Sequence, residues 1–267
     1  MSLSLAYSPC PNDTFMFAAI AANRQVLPQD ELEIHLHDVE TLNRYALSSR
    51  YDFTKLSFHA WLLVRERYQL LEVGAALGYG CGPLVISKGG IGKAELADCR
   101  IALPGELTTA HLLFQLWAPE ARNKVFVPFD EIFNLVETGQ VDCGVIIHEG
   151  RFTYQQAGFQ LIVDLGEWWE QQTAMPIPLG CIAAKKGLPE QTVQEFSRVL
   201  SLSLKEAQAK PQAAYPYMKE HAQELDAAVL DQHVKTYVND FSEELGPLGW
   251  AAVNRLEKMA RAAGVIA

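Results

Sequence analysis

A histidine and a glutamate stand together at the end of a short apolar run. The run covers residues 141–147, is rich in β-branched residues and is bounded by turn formers, which is typical of a buried parallel strand. His148 and Glu149 follow it directly. Ligands of open α/β sheets bind outside the carboxyl ends of the strands, so we expect the imidazole to face a cleft. A histidine there is a candidate general base near neutral pH, and a structural histidine is the alternative interpretation.

Hydroxyl residues mark the predicted starts of two helices. Ser57 begins one, and the segment 108–110, Thr-Thr-Ala, begins another. The unpaired N–H groups and the dipole of a helix start can bind an anion, although an ordinary N-cap is the simpler interpretation. Lys55 adds a positive charge near Ser57, unless it is a solvated surface lysine. If both helix starts face one cleft, they can hold the two ends of a polar anion.

Other polar residues give weaker signals. His35 and His37 share one face of a predicted strand, but the zinc consensus has no further ligand nearby, so we interpret them as edge or surface histidines. Asn43 and Arg151 are weaker hypotheses for polar groups in the cleft wall. The sequence contains no Gly-x-Ser-x-Gly elbow and no phosphate-binding glycine motif, which argues against a hydrolase triad and against a nucleotide cofactor.

The residues singled out above need a scaffold that brings strand ends together. Strand–loop–helix units open the chain, with Asn12 or Asp13 as the predicted cap of the first helix. A glycine-rich crossing over 78–83 and a strand over 84–87 precede the best linker candidates, the glycines over 89–92. Further β/α units follow, and the chain is helical from residue 189 onward, with apolar residues at helical spacing over 191–210.

This order of elements predicts an α/β protein with two lobes around a ligand cleft. Residues 1–90 and 177–267 form a discontinuous first lobe that includes the C-terminal helices, and residues 91–176 form an inserted second lobe. Two crossovers join the two sheets, which is the layout of hinged ligand-binding proteins.

Composition limits the possible partners. The chain has 267 residues and a formal net charge of −10, without a basic run, so nucleic acid and anionic membranes are not expected to bind. No stretch reaches the roughly 20 apolar residues of a membrane helix, and the N-terminus has no signal core. The five cysteines form no Cys-x-x-Cys pair, and reduced thiols in a cytoplasm fit best. An anionic small molecule stays possible, because a local site can oppose the global charge.

An ordered set of short motifs carries a family resemblance. The opening, Ser8-Pro-Cys-Pro-Asn-Asp-Thr-Phe15, resembles that of the 1,4-dihydroxy-6-naphthoate synthases of menaquinone biosynthesis by the futalosine route. The other matching segments, in the same order, are Asp38–Arg44, Thr54–Ser57, Gly82–Val85, Thr108–Ala110, Val145–Glu149, Arg151–Tyr154, Asp164–Gly166 with Trp168 and Trp169, and His233 with Thr236–Asn239. The match spans nearly the whole chain.

The resemblance implies a type II periplasmic-binding-protein-like fold with its ligand cleft between two lobes. It implies a carbon–carbon lyase that converts cyclic dehypoxanthine futalosine, an anionic small molecule, to 1,4-dihydroxy-6-naphthoate and a dihydroxyacetone-type fragment. His148 falls on the family's general base. The implied substrate-binding residues are Lys55, Leu56, Ser57, Thr109 and Ala110. We expect no cofactor, because aromatisation of the product supplies the driving force, and no metal, because the sequence shows no zinc-ligand spacing.

Two alternatives belong to the same fold. In a solute-binding protein, His148 would only contact the ligand. The sister enzyme of the pathway dehydrates chorismate, but the Ser-Pro-Cys-Pro-Asn-Asp opening fits the naphthoate synthases better. Gly150 stands where the family pattern predicts serine. We expect this difference to affect a minor loop contact and not the proposed base.

Overall fold

Two β-sheets organise the chain in the computed structural model, which describes residues 2–27, 31–222 and 226–266. The strands are β1 Ser2–Tyr7, β2 Glu31–Leu36, β3 Phe53–Ser57, β4 Tyr68–Leu70, β5 Ala76–Gly78, β6 Leu84–Ser87, β7 Ile101–Leu103, β8 Lys124–Phe126, β9 Cys143–Ile146, β10 Gln160–Asp164 and β11 Ile177–Lys185. The helices are α1 Pro11–Ala21, α2 Val39–Ala46, α3 Phe58–Val64, α4 Thr109–Trp117, α5 Ile132–Glu137, α6 Gly150–Thr153, α7 Leu165–Thr173, α8 Glu190–Ala209, α9 Tyr215–His221, α10 Ala227–Tyr237, α11 Asp240–Glu243 and α12 Gly246–Ala262.

The first sheet has the strand order β2-β1-β3-β11-β4, and β5 also pairs with β11. Strand β1 is parallel to β2 and β3, so these three strands end at the same edge. Strand β11 runs antiparallel to β3 and places Gly180 opposite Ser57. Its residues from 180 to 184 are all buried, as expected for a strand covered on both faces. Apolar packing thus fixes the strand that borders the ends of β1 and β3.

The second sheet has the order β10-β6-β9-β7-β8, in which β7 is parallel to β8 and β9. The chain enters this sheet after β5 and returns to the first sheet at β11, which gives the two predicted crossovers. The predicted boundary at residue 90 puts β6 in the first lobe, and this assignment is wrong, since β6 pairs with β9 and β10. The chain therefore crosses at the glycine-rich segment 78–83, before β6 and not after it.

The crossing is tight because two glycines meet there. A Cβ atom on Gly82 would lie 2.2 Å from the backbone nitrogen of Gly166, at the start of α7. Only a residue without a side chain permits this approach. The glycines over 89–92 instead form a turn-rich loop after β6.

Apolar helices cover the first sheet. The rings of Phe53 on β3 and Phe196 on α8 stack with centroids 3.8 Å apart, and those of Tyr7 and Phe17 are 4.2 Å apart. The helical spacing predicted for 191–210 is confirmed by α8, whose apolar stripe is buried. This packing covers a face of β1 and β3 and leaves their carboxyl ends free to form a site.

The helix starts that border the strand ends follow the predicted caps at two of three places. Ser57 accepts a hydrogen bond from the N–H of Ala60 at 3.0 Å, and Thr108 accepts one from His111 at 3.2 Å. The prediction that Asn12 or Asp13 caps α1 is wrong. This helix begins at Pro11, and its N-cap Cys10 forms no side-chain capping bond. Proline suits a first helical position because it has no N–H to satisfy.

Candidate active site

A cavity lies where the strand ends of both sheets meet. All six of the predicted site residues line it, namely Lys55, Leu56, Ser57, Thr109, Ala110 and His148. Ser8, Asn12, Asp13, His233 and Tyr237 add further polar groups, and Ile147, Leu179 and Pro83 add apolar ones. The structure thus brings together residues that lie far apart in the sequence. Their roles in binding and catalysis stay predictions.

His148 lies two residues after the end of β9, in the left-handed region with φ 55°. Its ring meets the edge of Phe129 at a centroid distance of 4.8 Å, and its Nε2 lies 3.5 Å from the Sγ of Cys10. Burial lowers the pKa of His148, although the neighbouring Glu149 acts in the opposite direction. The imidazole is therefore neutral near pH 7, which is the state that a general base requires.

The thiol beside His148 stays protonated. Burial raises the pKa of Cys10, and the charges of Glu149 and Asp13 raise it further. A protonated thiol is a poor nucleophile, but it can accept a hydrogen bond as well as donate one. In the tautomer with the proton on Nε2, the ring donates toward this sulfur and the lone pair of Nδ1 is available to a substrate.

A buried ion pair forms the wall on the side of the first sheet. The Nζ of Lys55 donates to Asp13 at 2.6 Å, and the two residues are 6% and 0% exposed. The same carboxylate accepts from the Oγ of Ser8 at 2.6 Å and from the Nδ2 of Asn12 at 2.8 Å. The alternative that Lys55 is a solvated surface lysine is wrong. Its charge is balanced inside the protein, as a buried ammonium group requires.

The hydroxyl groups at the helix starts join the two sides of the cavity. Ser57 donates to the carbonyl of Leu107 at 2.5 Å, and Thr109 donates to that of Leu179 at 2.8 Å. His59 adds a contact from its Nδ1 to the carbonyl of Thr108 at 3.2 Å. These bonds hold the starts of α3 and α4 side by side. The first N–H groups of an α-helix have no partner within the helix, so the start of α4 at the cavity wall can bind an anion.

The weaker hypotheses for the cleft wall are wrong for both residues. The amide of Asn43 accepts from the N–H of Ser57 at 3.0 Å and donates to the carbonyl of Leu107 at 3.1 Å. Arg151 donates to the carbonyl of Gly82 at 2.6 Å and pairs with Asp164 at 2.6 Å. Neither side chain lines the cavity. Both hold the backbone segments that form its wall.

Two residues of α10 complete the cavity and were missed in the sequence. His233 is fully buried, and its Nε2 lies 3.0 Å from the Oδ1 of Asn12. Tyr237 lies one turn further, and its ring centroid is 4.6 Å from that of His233. Their spacing of four residues puts both on one helix face, which is a signal that could have paired them. Nothing in the local sequence indicates that this face points toward α1.

The remaining candidates lie elsewhere. His35 lies on β2, the edge strand of the first sheet, and His37 follows the end of that strand; their ring centroids are 6.5 Å apart, as predicted for edge histidines. In the described ranges, no group of three or more His, Cys, Asp or Glu side chains is arranged to hold a metal ion. The same ranges contain no helix that is both long and apolar enough to cross a membrane.

Comparison with known proteins agrees with this site. A family model described as menaquinone biosynthesis matches residues 3–262. The chain belongs to this menaquinone-biosynthesis family. A 1,4-dihydroxy-6-naphthoate synthase of Thermus thermophilus is 46% identical over 266 residues, covering 100% of this chain and 96% of the relative. A Streptomyces coelicolor protein of the same name is 42% identical over 270 residues, covering 99% and 95%.

These relatives confirm the resemblance found in the sequence, and they make this member of the menaquinone-biosynthesis family an enzyme, a naphthoate synthase. The fold prediction is also confirmed. An alkanesulfonate-binding protein of Xanthomonas axonopodis superimposes with a TM-score of 0.75 at 14% identity, covering 100% of this chain and 94% of that one. The chain therefore has the periplasmic-binding-protein-like fold.

Proposed function

We propose that the protein is a lyase that converts cyclic dehypoxanthine futalosine to 1,4-dihydroxy-6-naphthoate and a dihydroxyacetone-type fragment, with His148 as the general base. The observation that carries this proposal is a neutral imidazole at a strand end, directed at a cavity that two helix starts also border. The name of the relatives supports the product.

The substrate carboxylate binds at the start of α4. The N–H groups of Thr109 and Ala110 supply donors there, and the helix dipole favours a negative charge. Lys55 contributes less than a free lysine would, because its ammonium group already pairs with Asp13. Ser57 and Leu56 form the adjoining wall, so an anionic small molecule fits between uncharged donors and apolar surface.

The proposed reaction requires proton transfer but no external oxidant or reductant. His148 removes a proton, a carbon–carbon bond breaks, and the ring that remains becomes aromatic. The gain from aromatisation drives the reaction without a redox step, so no cofactor is required. Most residues that line the cavity are buried, and a bound substrate that displaces water from it strengthens each hydrogen bond to a developing oxyanion. Helix-start N–H groups near Ser57 and Thr109 supply such bonds.

The test is turnover of cyclic dehypoxanthine futalosine by the wild type and by His148→Ala, with binding of the substrate measured on both proteins. We expect kcat to fall by about 10²- to 10⁴-fold while binding persists. His35→Ala is the matched control, because His35 lies on the edge strand away from the cavity. Equal kcat in the wild type and His148→Ala would remove His148 from catalysis.

The alternatives are separate outcomes of the same assay. Dehydration of chorismate by the wild type would identify the sister reaction. Tight binding without turnover of either compound would identify a solute-binding protein. The five cysteines are free and buried, which fits a reducing compartment, and we propose that the enzyme works in the cytoplasm.

A further inference from the structure

A second histidine of the cavity has a fixed orientation. The Nε2 of His233 lies 3.0 Å from the Oδ1 of Asn12. The orientation of this amide is set by its other end, because the Nδ2 of Asn12 donates at 2.8 Å to Asp13, whose carboxylate is paired with Lys55. The Oδ1 of Asn12 can only accept, so the Nε2 of His233 carries the proton.

The other ring nitrogen of His233 is left without a donor. In a neutral imidazole with Nε2 protonated, Nδ1 holds a lone pair. This buried Nδ1 has no hydrogen-bond partner among the described residues, and the Oε1 of Glu149 lies 3.5 Å away. Two acceptors that face each other are an unfavourable arrangement. A donor from a bound molecule, or a proton on Nδ1, would satisfy both.

The groups around His233 keep it neutral until such a donor arrives. Burial lowers its pKa well below the ordinary value, and the nearby His148 and Lys55 lower it further. The ring of His148 is nearly parallel to it, at a centroid distance of 6.1 Å. Tyr237 packs against the ring from the same helix, and Glu149 faces it as a carboxylate. The carboxylate of Glu149, 3.5 Å from Nδ1, is thus placed to hold a proton once it has been transferred.

We propose that the Nδ1 of His233 is a second proton acceptor for the substrate, and that Glu149 holds the N–H formed there. His148 and His233 then handle different protons. This inference rests on the proposed function, and Asn12 is its positioning residue. The catalytic candidates are His233, which lines the cavity, and His148.

The step proposed for His233 is the cleavage of a carbon–carbon bond next to a hydroxyl group of the substrate. His233 takes the proton of a hydroxyl, and the electron pair of that O–H bond becomes the second bond of a carbonyl. The adjacent carbon–carbon bond breaks, and its electron pair passes to the other fragment as an enolate. The imidazolium returns its proton to this enolate, which regenerates the neutral ring. His148 then takes a carbon-bound proton of the remaining ring, and the electron pair of that C–H bond forms a ring double bond as the adjacent carbonyl becomes an enolate. The imidazolium of His148 returns the proton to this oxygen, which gives the aromatic hydroxyl and regenerates the base.

The first test needs no substrate. We expect the ¹⁵N spectrum of the histidine rings in the ligand-free wild type to show His233 with a protonated Nε2 and a bare Nδ1, assigned by the signal lost in His233→Gln. In Asn12→Leu, which lacks the acceptor for Nε2, we expect the tautomer with the proton on Nδ1 to appear as well. A protonated Nδ1 in the neutral wild-type ring would overturn the inference and leave the proposed function intact.

The second test is kinetic. We expect His233→Gln to lower kcat by about 10²-fold with KM little changed, and to remove one limb of the pH profile of kcat. Glu149→Gln should shift that limb. A merely structural role would lower the protein's stability but leave the shape of the profile unchanged, and such a result would overturn the inference.

The matched control is His221→Gln on α9, which should retain the wild-type kcat and pH profile. If His233→Gln does not fold, the pH profile of Glu149→Gln decides. An unchanged limb in Glu149→Gln would then count against the inference. Absence of turnover in the wild type would overturn the proposed function, and the inference with it.

Discussion

The two walls of the cavity are held by different forces. On the side of the first sheet, the buried carboxylate of Asp13 accepts from Lys55, Ser8 and Asn12. On the opposite side, Thr108 caps α4, and the backbone of His148, two residues after β9, has a left-handed conformation. The lining residues of the first wall form a buried ion pair, whereas those of the second are held by neutral hydrogen bonds and a turn, with the ion pair of Arg151 and Asp164 outside the lining.

This difference separates positioning from chemistry. A buried pair of opposite charges is costly to disturb, so the first wall is rigid. It orients Asn12 and through it His233. The second wall presents the proposed base and the helix-start donors, whose partners are single hydrogen bonds. Lys55 and Asp13 thus stabilise the cavity wall by pairing with each other, and neither charge is left unpaired for a ligand.

The ion pair should account for the largest effect on stability. Asp13→Asn leaves the ammonium group of Lys55 buried without a countercharge, so we expect the free energy of unfolding to fall by about 3–5 kcal/mol. Chemical denaturation measures it. The control is Glu137→Gln, whose partner Lys88 is exposed, and its effect should stay below about 1 kcal/mol. Similar losses in the two variants would contradict the contrast between the walls.

The crossing between the walls comes next. In Gly82→Ala, the added Cβ meets the backbone of Gly166, which cannot move aside as a side chain does. We expect a loss of about 1–3 kcal/mol in thermal or chemical unfolding. Gly89→Ala is the control, because no atom lies within 4 Å of its added Cβ. Equal stability of both variants would mean that the crossing relaxes.

The second wall should show a dependence on pH. Burial lowers the pKa of His111 to about 4, and the nearby Lys124 contributes to this shift. Because the folded pKa lies below the unfolded value of roughly 6.5, the stabilisation is complete above about pH 6.5 and is lost as pH falls toward 4. The slope for one proton is at most about 1.4 kcal/mol per pH unit. Unfolding of His111→Gln between pH 7 and 4.5 should show a smaller slope than the wild type, and an equal slope would contradict this account.

The smallest effect belongs to the cap of α4. Thr108→Ala removes the acceptor for the N–H of His111, and we expect a loss of about 1 kcal/mol. Thr108→Ser retains the hydroxyl and should restore most of the stability in the same denaturation experiment. A loss in Thr108→Ala as large as that in Asp13→Asn would make the two walls equivalent.

The sequence predicts those parts of the site that depend only on residues close together in the chain. The strand end before His148 and the caps at Ser57 and Thr108 follow from short patterns, because a helix start or a buried strand is specified within a few residues. The assignment of the strand over 84–87 to the first lobe failed because its pattern shows that it is a strand and not which sheet it joins.

The contacts that the sequence did not predict join distant residues. Asn12 and His233 are 221 positions apart, and Asp13 and Lys55 are 42 apart. A pattern of a few residues carries no information about such pairs, since they form only when the sheets and helices pack. Asp13 was therefore interpreted as a helix cap and Lys55 as a residue of undecided exposure, although together they form the charged centre of one wall.

The left-handed backbone at His148 sets stability against activity at one position. A residue with a Cβ atom costs about 1 kcal/mol in this conformation, and glycine avoids that cost. Selection for thermal tolerance alone would therefore favour glycine at position 148 and eliminate the proposed base. The proposed function gives a reason for a side chain at this position in spite of its conformational cost.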